Sequence, residues 1–293
     1  GFWSPWGITL NGSALYLTTI SEYGAVRKVD IAARTVSTFT GFSPHCSDGK
    51  GTAASFYFPS GVASDGNNLY VADMDGHAVR QVEIATGTVK TLAGGLPGNS
   101  DGTGADARFK NPQGVATDGV NVYVADTANN EIRKIEISTG AVSTLAGTVD
   151  SGYADGSGSE ARFNQPVGIA SDGSVLYVAD TGNHKIRRVD PVSGAVTTVA
   201  GGAIAGSSDG IGSAASFNFP SGIAVNGEEL YVADTSNSVI RRVTITTGEV
   251  ATLAGSAGVS GTDDGIGTAA RFNRPYGIAT DGTNLFIADS LNS

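Results

Sequence analysis

The sequence of 293 residues predicts an all-β fold of repeated small sheets, and three observations support this. One pattern recurs six times, five times in full and once in part, and each copy starts at Pro5, Pro59, Pro112, Pro166, Pro220 or Pro275. Each copy contains short runs rich in Val, Ile and Tyr, which favour strands. Turn residues such as Ser193-Gly194 separate these runs. Four strands per repeat, arranged radially, form the blade of a β-propeller.

The fourth copy shows the expected elements of one blade in chain order. Its four runs are VGIAS, VLYVAD, KIRRVD and AVTTVAG, which we name strands a, b, c and d from the axis to the rim. A single blade cannot bury both of its faces, so neighbouring blades must supply the rest of the core. We therefore expect residues 1–293 to form a single domain, with blades at about 5–41, 59–94, 112–147, 166–201, 220–255 and 275–293.

The sixth copy contains strands a and b only, because the sequence ends three residues before the arginine that strand c should carry. The expected fold is thus a six-bladed propeller of five complete four-stranded blades and two strands of a sixth. Two explanations remain open at this point. The sequence is part of a longer chain, or strands of another chain complete the sixth blade by pairing with its open edge.

All variation in length lies in the connection from strand b to strand c and in the linker from strand d to the next blade. In an up-and-down sheet these two connections open on the same side of the disc, which we call the long-loop face. The opposite face carries tight turns of fixed length, such as Asp172-Gly173. Variable loops on a rigid scaffold commonly carry the binding site, so the long-loop face is the candidate functional surface.

The segment VADTGNHKIRRVD, which contains Asn183-His184, resembles the NHL repeat. The resemblance covers essentially the whole chain and implies an NHL-type propeller, while it leaves the function open. Some NHL propellers bind RNA through a basic face, and six-bladed relatives include zinc-dependent amidating lyases and calcium-dependent lactonases. These activities are what the resemblance implies as alternatives.

Composition argues against several classes of partner. The net charge of −10 opposes phosphate backbones and anionic membranes, so we expect no nucleic acid as partner. No apolar run approaches the length of a membrane span, so we expect no membrane insertion. Cys46 is the single cysteine, which excludes an intrachain disulfide. Abundant Gly, Ser, Thr and Asn with one Met favour an extracellular or periplasmic protein.

The aspartate that ends strand b and the arginine seven residues later can meet across adjacent strands b and c. A bidentate ion pair suits the two side chains, and we interpret these pairs as structural. The predicted pairs are Asp73–Arg80, Asp126–Arg133, Asp180–Arg187 and Asp234–Arg241. The first copy departs from the pattern, with Thr19 and Arg27, and Glu22 is a candidate substitute there.

Every linker contains the element DGxG followed by Ala and Phe, as in DGTGADARF from Asp101 to Phe109. We expect its glycines to serve a turn and its phenylalanine to fill the cleft between blades. The rival interpretation is a calcium loop, since carboxylate and carbonyl oxygens are the ligands of that ion, although the spacing matches no known calcium pattern. The aspartates of these linkers count among the candidate residues of the binding face: Asp48, Asp101, Asp155, Asp209 and Asp264.

One position of the b–c connection is occupied by His77, Asn130, His184 or Ser238. A side chain that closes the loop by hydrogen bonds explains all four residues, and they complete the candidate residues of the binding face. The rival interpretation is metal ligation or acid–base catalysis, which needs converging groups. Cys46 next to His45 is interpreted as an incidental thiol rather than a catalytic dyad.

We therefore expect a non-catalytic recognition or scaffold module without a required cofactor, which binds a protein, peptide or glycan on the long-loop face. The first alternative is a self-assembling subunit whose open sixth blade takes strands from a neighbouring chain. The second alternative is a metal-dependent lyase or lactonase.

Overall fold

The computed structural model describes residues 4–20, 24–41 and 46–292. These residues form 26 β-strands and eight three-residue 3-10 helices. The helices are Gly51–Ala53, Gly104–Asp106, Thr127–Asn129, Gly158–Glu160, Thr181–Asn183, Gly212–Ala214, Thr235–Asn237 and Gly267–Ala269. The all-β prediction is confirmed.

The strands follow the repeat. The first blade is β1 (Pro5–Asn11), β2 (Ala14–Thr19), β3 (Ala25–Asp30) and β4 (Thr35–Gly41). The second is β5 (Gly49–Lys50), β6 (Pro59–Ser64), β7 (Asn68–Asp73), β8 (Ala78–Glu83) and β9 (Thr88–Gly94). The third is β10 (Gly102–Thr103), β11 (Val115–Thr117), β12 (Asn121–Asp126), β13 (Glu131–Glu136) and β14 (Ala141–Gly147).

The fourth blade is β15 (Gly156–Ser157), β16 (Pro166–Ser171), β17 (Leu176–Asp180), β18 (Lys185–Val189) and β19 (Ala195–Ala200). The fifth is β20 (Gly210–Ile211), β21 (Pro220–Asn226), β22 (Glu229–Asp234), β23 (Val239–Thr244) and β24 (Glu249–Gly255). A two-stranded sheet follows, consisting of β25 (Pro275–Thr280) and β26 (Leu285–Asp289).

The expectation of four strands per blade is corrected for the second to fifth blades, which have five. The additional strand comes from the DGxG element of the linker, as in β10, where Gly102 pairs with Val142 of β14. The outer edge of strand d would otherwise expose unpaired amide and carbonyl groups. The linker covers that edge with a short strand before it returns to the axis.

The five blades and the two-stranded sheet follow one another around a common axis. Each innermost strand contacts the innermost strand of the next sheet, and β25 contacts β1. Thr127 donates a hydrogen bond to the Pro166 carbonyl of the next blade at 2.7 Å, and Ser290 donates one to the Pro5 carbonyl at 2.5 Å. The second of these bonds joins the last sheet to the first.

A glycine in or next to each innermost strand allows the sheets to approach closely at the axis. A Cβ atom on Gly114 would lie 2.1 Å from the Val167 carbonyl oxygen, and one on Gly277 would lie 2.2 Å from that of Trp6. Non-bonded atoms do not approach so closely, so these positions require glycine.

The clefts between blades are filled by the linker phenylalanines. Phe109 is fully buried in one cluster with Tyr70 and Val79 of the second blade and Val122 of the third. Phe163 and Phe217 are fully buried in the corresponding clusters of the next two clefts. The expected role of the linker phenylalanine is confirmed for these three clefts. Within the part of the chain that the structure describes, no helix is long and apolar enough to cross a membrane.

Substitution of Gly114 by Ala should destabilise the propeller by about 3 kcal/mol or more, because the methyl group would collide with a backbone carbonyl that cannot move aside. The matched control is Gly152→Ala, whose Cβ would make only an ordinary contact of 3.5 Å with Arg162. The control should cost about 0.5 kcal/mol or less. Urea unfolding of both variants measures the difference, and equal losses would contradict the axial role of Gly114.

Candidate functional site

Each blade from the second to the fifth contains a buried arginine bonded to two aspartates, which we call the arginine clamp. In the third blade, Arg133 Nη1 lies 2.9 Å from Asp126 Oδ2, and Arg133 Nη2 lies 2.7 Å from Asp101 Oδ1. The strand b pairs of the other three blades are Asp73–Arg80 at 3.0 Å, Asp180–Arg187 at 2.6 Å and Asp234–Arg241 at 2.9 Å. The four pairs that the spacing predicts are therefore present.

The expected bidentate geometry is wrong, because the guanidinium divides its two terminal nitrogens between different carboxylates. Asp126 at the end of strand b takes one nitrogen, and Asp101 of the linker takes the other. The carbonyl oxygen of Arg108 accepts a further bond at 3.0 Å, and the Phe109 ring lies 5.3 Å from the guanidinium carbon. The clamp thus fixes strand b, strand c and the linker to one another.

Burial raises the pKa of Asp126 to about 6, while the Lys110 amide, the Asn129 side chain and Arg133 act in the opposite direction. The carboxylate is thus ionised at neutral pH because hydrogen bonds and the guanidinium offset its desolvation. The oxygens of Asp126 already accept hydrogen bonds from these groups, so we interpret this carboxylate as structural.

The clamp provides a structural partner for four of the linker aspartates that the sequence assigns to the candidate binding face. Asp48, Asp101, Asp155 and Asp209 bond an arginine at 2.7 to 2.8 Å and lie at the rim, beside the short fifth strand. Sequence spacing missed this contact because the linker aspartate precedes its arginine by 32 residues. Asp264, in the linker before β25, is exposed and forms no comparable ion pair within residues 4–20, 24–41 and 46–292.

An asparagine fixes the b–c connection in the third, fourth and fifth blades. Asn129 Nδ2 donates to Asp126 Oδ2 at 2.8 Å and to the Gly98 carbonyl at 2.7 Å, so it joins the b–c connection to the preceding linker. The next residue, Asn130, has the left-handed conformation with φ 56°. Asn130 Oδ1 accepts a hydrogen bond from the Gln165 amide of the following linker at 2.8 Å.

His77 and His184 occupy the same position as Asn130, and they likewise accept a hydrogen bond from a backbone amide of the following linker. His77 Nδ1 accepts from the Asn111 amide at 3.2 Å, and His184 Nδ1 accepts from the Phe219 amide at 3.1 Å. The expected bonding role is present, but these bonds cross to the next linker instead of closing their own loop. Ser238 shares the left-handed conformation with φ 57°.

Cys46 lies beside the clamp of the second blade. Its thiol is 3.3 Å from Asp73 Oδ2 and 3.2 Å from Arg80 Nη1. Burial and the Asp73 carboxylate raise the pKa of the Cys46 thiol to about 12, so the thiol is protonated at neutral pH and is a poor nucleophile. His45 and Glu22, which the sequence singled out, lie outside the described residues.

The axis contains a cavity of about 70 Å³. Tyr276 Oη donates to Gln113 Oε1 at 2.7 Å across the axis, and the Trp6 ring packs 4.3 Å from the Tyr276 ring. Burial raises the pKa of Tyr276. Among residues 4–20, 24–41 and 46–292, no three His, Cys, Asp or Glu side chains converge as a metal site.

The long-loop face exposes a set of large apolar side chains, most of which sequence reasoning missed. Tyr153 is 53% exposed and Ile204 is 78% exposed, and both lie in variable linkers. The other members of the set are Tyr57, Leu96, Val149, Phe219, Val259 and Leu291. The sequence pattern that could have identified these side chains is an isolated apolar residue within a stretch of small and polar residues, such as Ile204 within GGAIAGSS.

Two of these side chains flank a groove of about 460 Å³ on the long-loop face. Tyr153 and Ile204 line it together with His184 and the buried Lys185. Lys185 donates to the Gly201 carbonyl at 3.0 Å and lies 4.6 Å from the centre of the Tyr153 ring. Burial and the nearby Arg187 charge lower the pKa of Lys185. The groove therefore has an apolar rim and a cation that is already bonded at its base.

Comparison with known sequences identifies the repeat. The family model described as NHL repeat matches residues 163–188 and 217–242. The chain is 32% identical over 269 residues to Protein SUPPRESSOR OF QUENCHING 1, chloroplastic, of Arabidopsis thaliana, which covers 84% of this chain and 25% of that protein. It is 29% identical over 298 residues to human NHL repeat-containing protein 2, with 86% and 40% covered. The chain thus spans a quarter to two-fifths of these relatives.

Among solved structures, the fold is similar to that of an auxiliary nutrient binding protein from Bacteroides thetaiotaomicron VPI-5482. The TM-score is 0.74 at 18% sequence identity, and the similarity covers 100% of this chain and 68% of that chain. At this identity the similarity concerns the fold.

Substitution of Arg133 by Met should lower the free energy of unfolding by about 3 to 5 kcal/mol, because Asp126 would be left buried without its cation. The matched control is Arg27→Met, at the same position of the first blade, where the side chain is not buried and donates to the Ser37 carbonyl at 3.4 Å. The control should cost about 0.5 kcal/mol or less. Chemical denaturation distinguishes the two, and a small loss in both would refute the clamp.

His184 should make stability depend on pH. Burial, followed by the Lys185 charge, lowers the pKa of His184 from its ordinary value of 6.5. The unfolded chain then takes up this proton at a higher pH than the folded chain, so the free energy of unfolding should fall as the pH drops through 6.5. The side chain introduced by His184→Asn can still accept a hydrogen bond, as Asn130 does from the Gln165 amide at 2.8 Å, but it does not titrate. The substitution should therefore reduce the fall in the free energy of unfolding.

The measurement is urea unfolding of the chain and of His184→Asn above and below that pH. An unchanged slope in the variant would exclude His184 as the source of the dependence.

Proposed function

The chain is an NHL-repeat β-propeller, and we propose that it is a recognition module whose long-loop face binds a peptide segment of a protein. The groove between Tyr153 and Ile204 carries this proposal, because exposed apolar side chains flank a concave surface there. The similarity in fold to an auxiliary nutrient binding protein supports ligand binding in general.

The scaffold supports this function through the clamps and the cross-linker bonds. His184 bonds the Phe219 amide at 3.1 Å, and its ring packs 4.6 Å from the Phe219 ring. Lys185 and Arg187 hold the Tyr153 ring at 4.6 and 5.1 Å. The base of the groove is therefore preorganised, which lowers the entropic cost of binding.

We also assign β25 and β26 to a sixth blade. Pro275 and Asp289 pair as Pro220 and Asp234 do in the fifth blade, so the sheet repeats strands a and b. An extracellular or periplasmic location is part of the proposal, supported by the abundance of small and polar residues and the single Cys46.

A phage-displayed library of linear peptides, panned on the purified chain, should yield binders that Ile204→Glu abolishes, because the substitution places a charge on the apolar rim of the groove. The control is Val192→Glu, which introduces the same charge at a residue that is 91% exposed in a turn of the opposite face. Val192→Glu should retain binding. Peptides that bind both variants equally, or that bind neither, would contradict the assignment of the groove.

A further inference from the structure

The third blade carries an additional carboxylate beside its arginine clamp. The side chain of Glu131, the first residue of β13, is only 7% exposed, and its Oε2 atom lies 3.9 Å from Arg133 Nη1. This distance is too long for a hydrogen bond. Oε2 is buried and has no hydrogen-bond partner among the residues that the structure describes. Because Arg133 is already bonded to Asp126 and Asp101, Glu131 is a buried carboxylate without a cation bonded to it.

The first residue of strand c sets the net charge around each clamp. It is uncharged in the second and fifth blades, where it is Ala78 and Val239, and it is Lys185 in the fourth. Lys185 and the clamp arginine together balance the two clamp carboxylates of the fourth blade. Glu131 has the opposite effect in the third blade, where three carboxylates lie near one guanidinium and two negative charges remain. A buried site tolerates such an excess only when a proton or a cation compensates it.

The fourth blade shows how a cation is held at this position. Lys185 Nζ donates to the carbonyl oxygens of Gly201 and Gly202, to the first of them at 3.0 Å. Two consecutive backbone carbonyls at the end of strand d therefore bind a positive charge there. The corresponding residues of the third blade are Gly147 and Thr148, since Gly147 follows Glu131 by the same interval in the repeat.

The segment Gly147–Val149 lies beside Glu131. Glu131 pairs with Gly147 in the ladder of β13 and β14, and Asn130 Nδ2 donates to the Val149 carbonyl at 3.0 Å. Thr148 lies between these two contacts, and its hydroxyl oxygen is also buried without a hydrogen-bond partner in the described part of the chain. A buried polar atom without a partner requires an explanation, such as a bound water or ion. Here a carboxylate oxygen and a hydroxyl oxygen on adjacent segments both require one.

We propose that the third blade binds a calcium ion between the Glu131 carboxylate and the segment Gly147–Thr148. Carboxylate, hydroxyl and carbonyl oxygens together with water are the ligands of calcium, whereas zinc and copper favour nitrogen and sulfur. The two charges of calcium balance the two negative charges that remain in this blade. The site needs one acidic side chain only, so it differs from a cluster of three such residues. It is also independent of the groove between Tyr153 and Ile204.

This site is not the calcium loop that the linker sequence suggested. The linker carboxylate Asp101 is bonded to Arg133 at 2.7 Å, so its charge already has a partner. Glu131 lies in strand c, and its carboxylate becomes available to a cation once it has lost its proton. Burial raises the pKa of Glu131 to about 7, while Arg133 acts in the opposite direction. Measurements at about pH 8 therefore separate binding of calcium from uptake of a proton.

Titration of the metal-free chain with calcium chloride at that pH, in physiological salt, tests the proposal. Calorimetry should show saturable binding of one calcium ion per chain. At a free calcium concentration about one hundred times the dissociation constant, the equilibrium constant of unfolding should fall about one-hundredfold. Magnesium chloride should have a smaller effect, because magnesium requires a nearly octahedral shell and gives up its water reluctantly.

Variants of the chain locate the site. Glu131→Gln retains the shape of the side chain without its charge, so it should abolish both the binding and the stabilisation by calcium. Glu249→Gln makes the same change of charge at an exposed residue of β24 and should retain both. A calcium response that persists in Glu131→Gln would assign the binding to the general negative charge of the chain, against the proposal.

Glu131→Lys tests the carbonyl oxygens and shows that a variant at this position folds. Its ammonium should bond the carbonyl oxygens of Gly147 and Thr148, as Lys185 bonds those of Gly201 and Gly202. This variant should unfold at a higher temperature than Glu131→Gln, and calcium should not change its midpoint. Absence of a calcium response in the unsubstituted chain, or a Glu131→Lys variant no more stable than Glu131→Gln, would overturn the proposal.

Discussion

A buried guanidinium joins three segments of the chain in each blade from the second to the fifth. Arg133 bonds Asp126 at the end of strand b and Asp101 in the linker, while it belongs to strand c itself. A buried charge is tolerated only when its hydrogen bonds are nearly complete, so the three segments must keep their relative positions. The start of the b–c connection and the end of the linker are thereby fixed in space.

This constraint explains why sequence variation on the long-loop face does not disturb the fold. The residues that hold the connections are repeated, as with Asn129 and its bond to the Gly98 carbonyl at 2.7 Å. The residues between them differ from blade to blade, and several expose apolar side chains such as Leu96 and Ile204. A rigid frame with variable connections is the arrangement from which binding surfaces are commonly built.

The repeat made much of the fold predictable. The strands, the face that carries the long connections and the Asp–Arg pairs of strands b and c all follow from alternation and fixed spacing, which act over short distances in the chain. The fifth strand of the second to fifth blades was not predictable, because it is only two residues long and begins with glycine, which disfavours strands. Gly102-Thr103 forms a strand since β14 offers an open edge. The linker aspartate was missed for the same reason, as its partner lies in another segment.

The sequence by itself determined the repeat, the strand order within a blade and the Asp–Arg pairs of strands b and c, since these depend on local alternation and on a constant period. Only the tertiary structure decided which groups share one guanidinium, which histidine nitrogen bonds a neighbouring linker and which apolar side chains remain exposed. Those outcomes depend on distances between segments that are remote in sequence. The packing of such remote segments against one another determines which hydrogen bonds form and which side chains are buried in this protein.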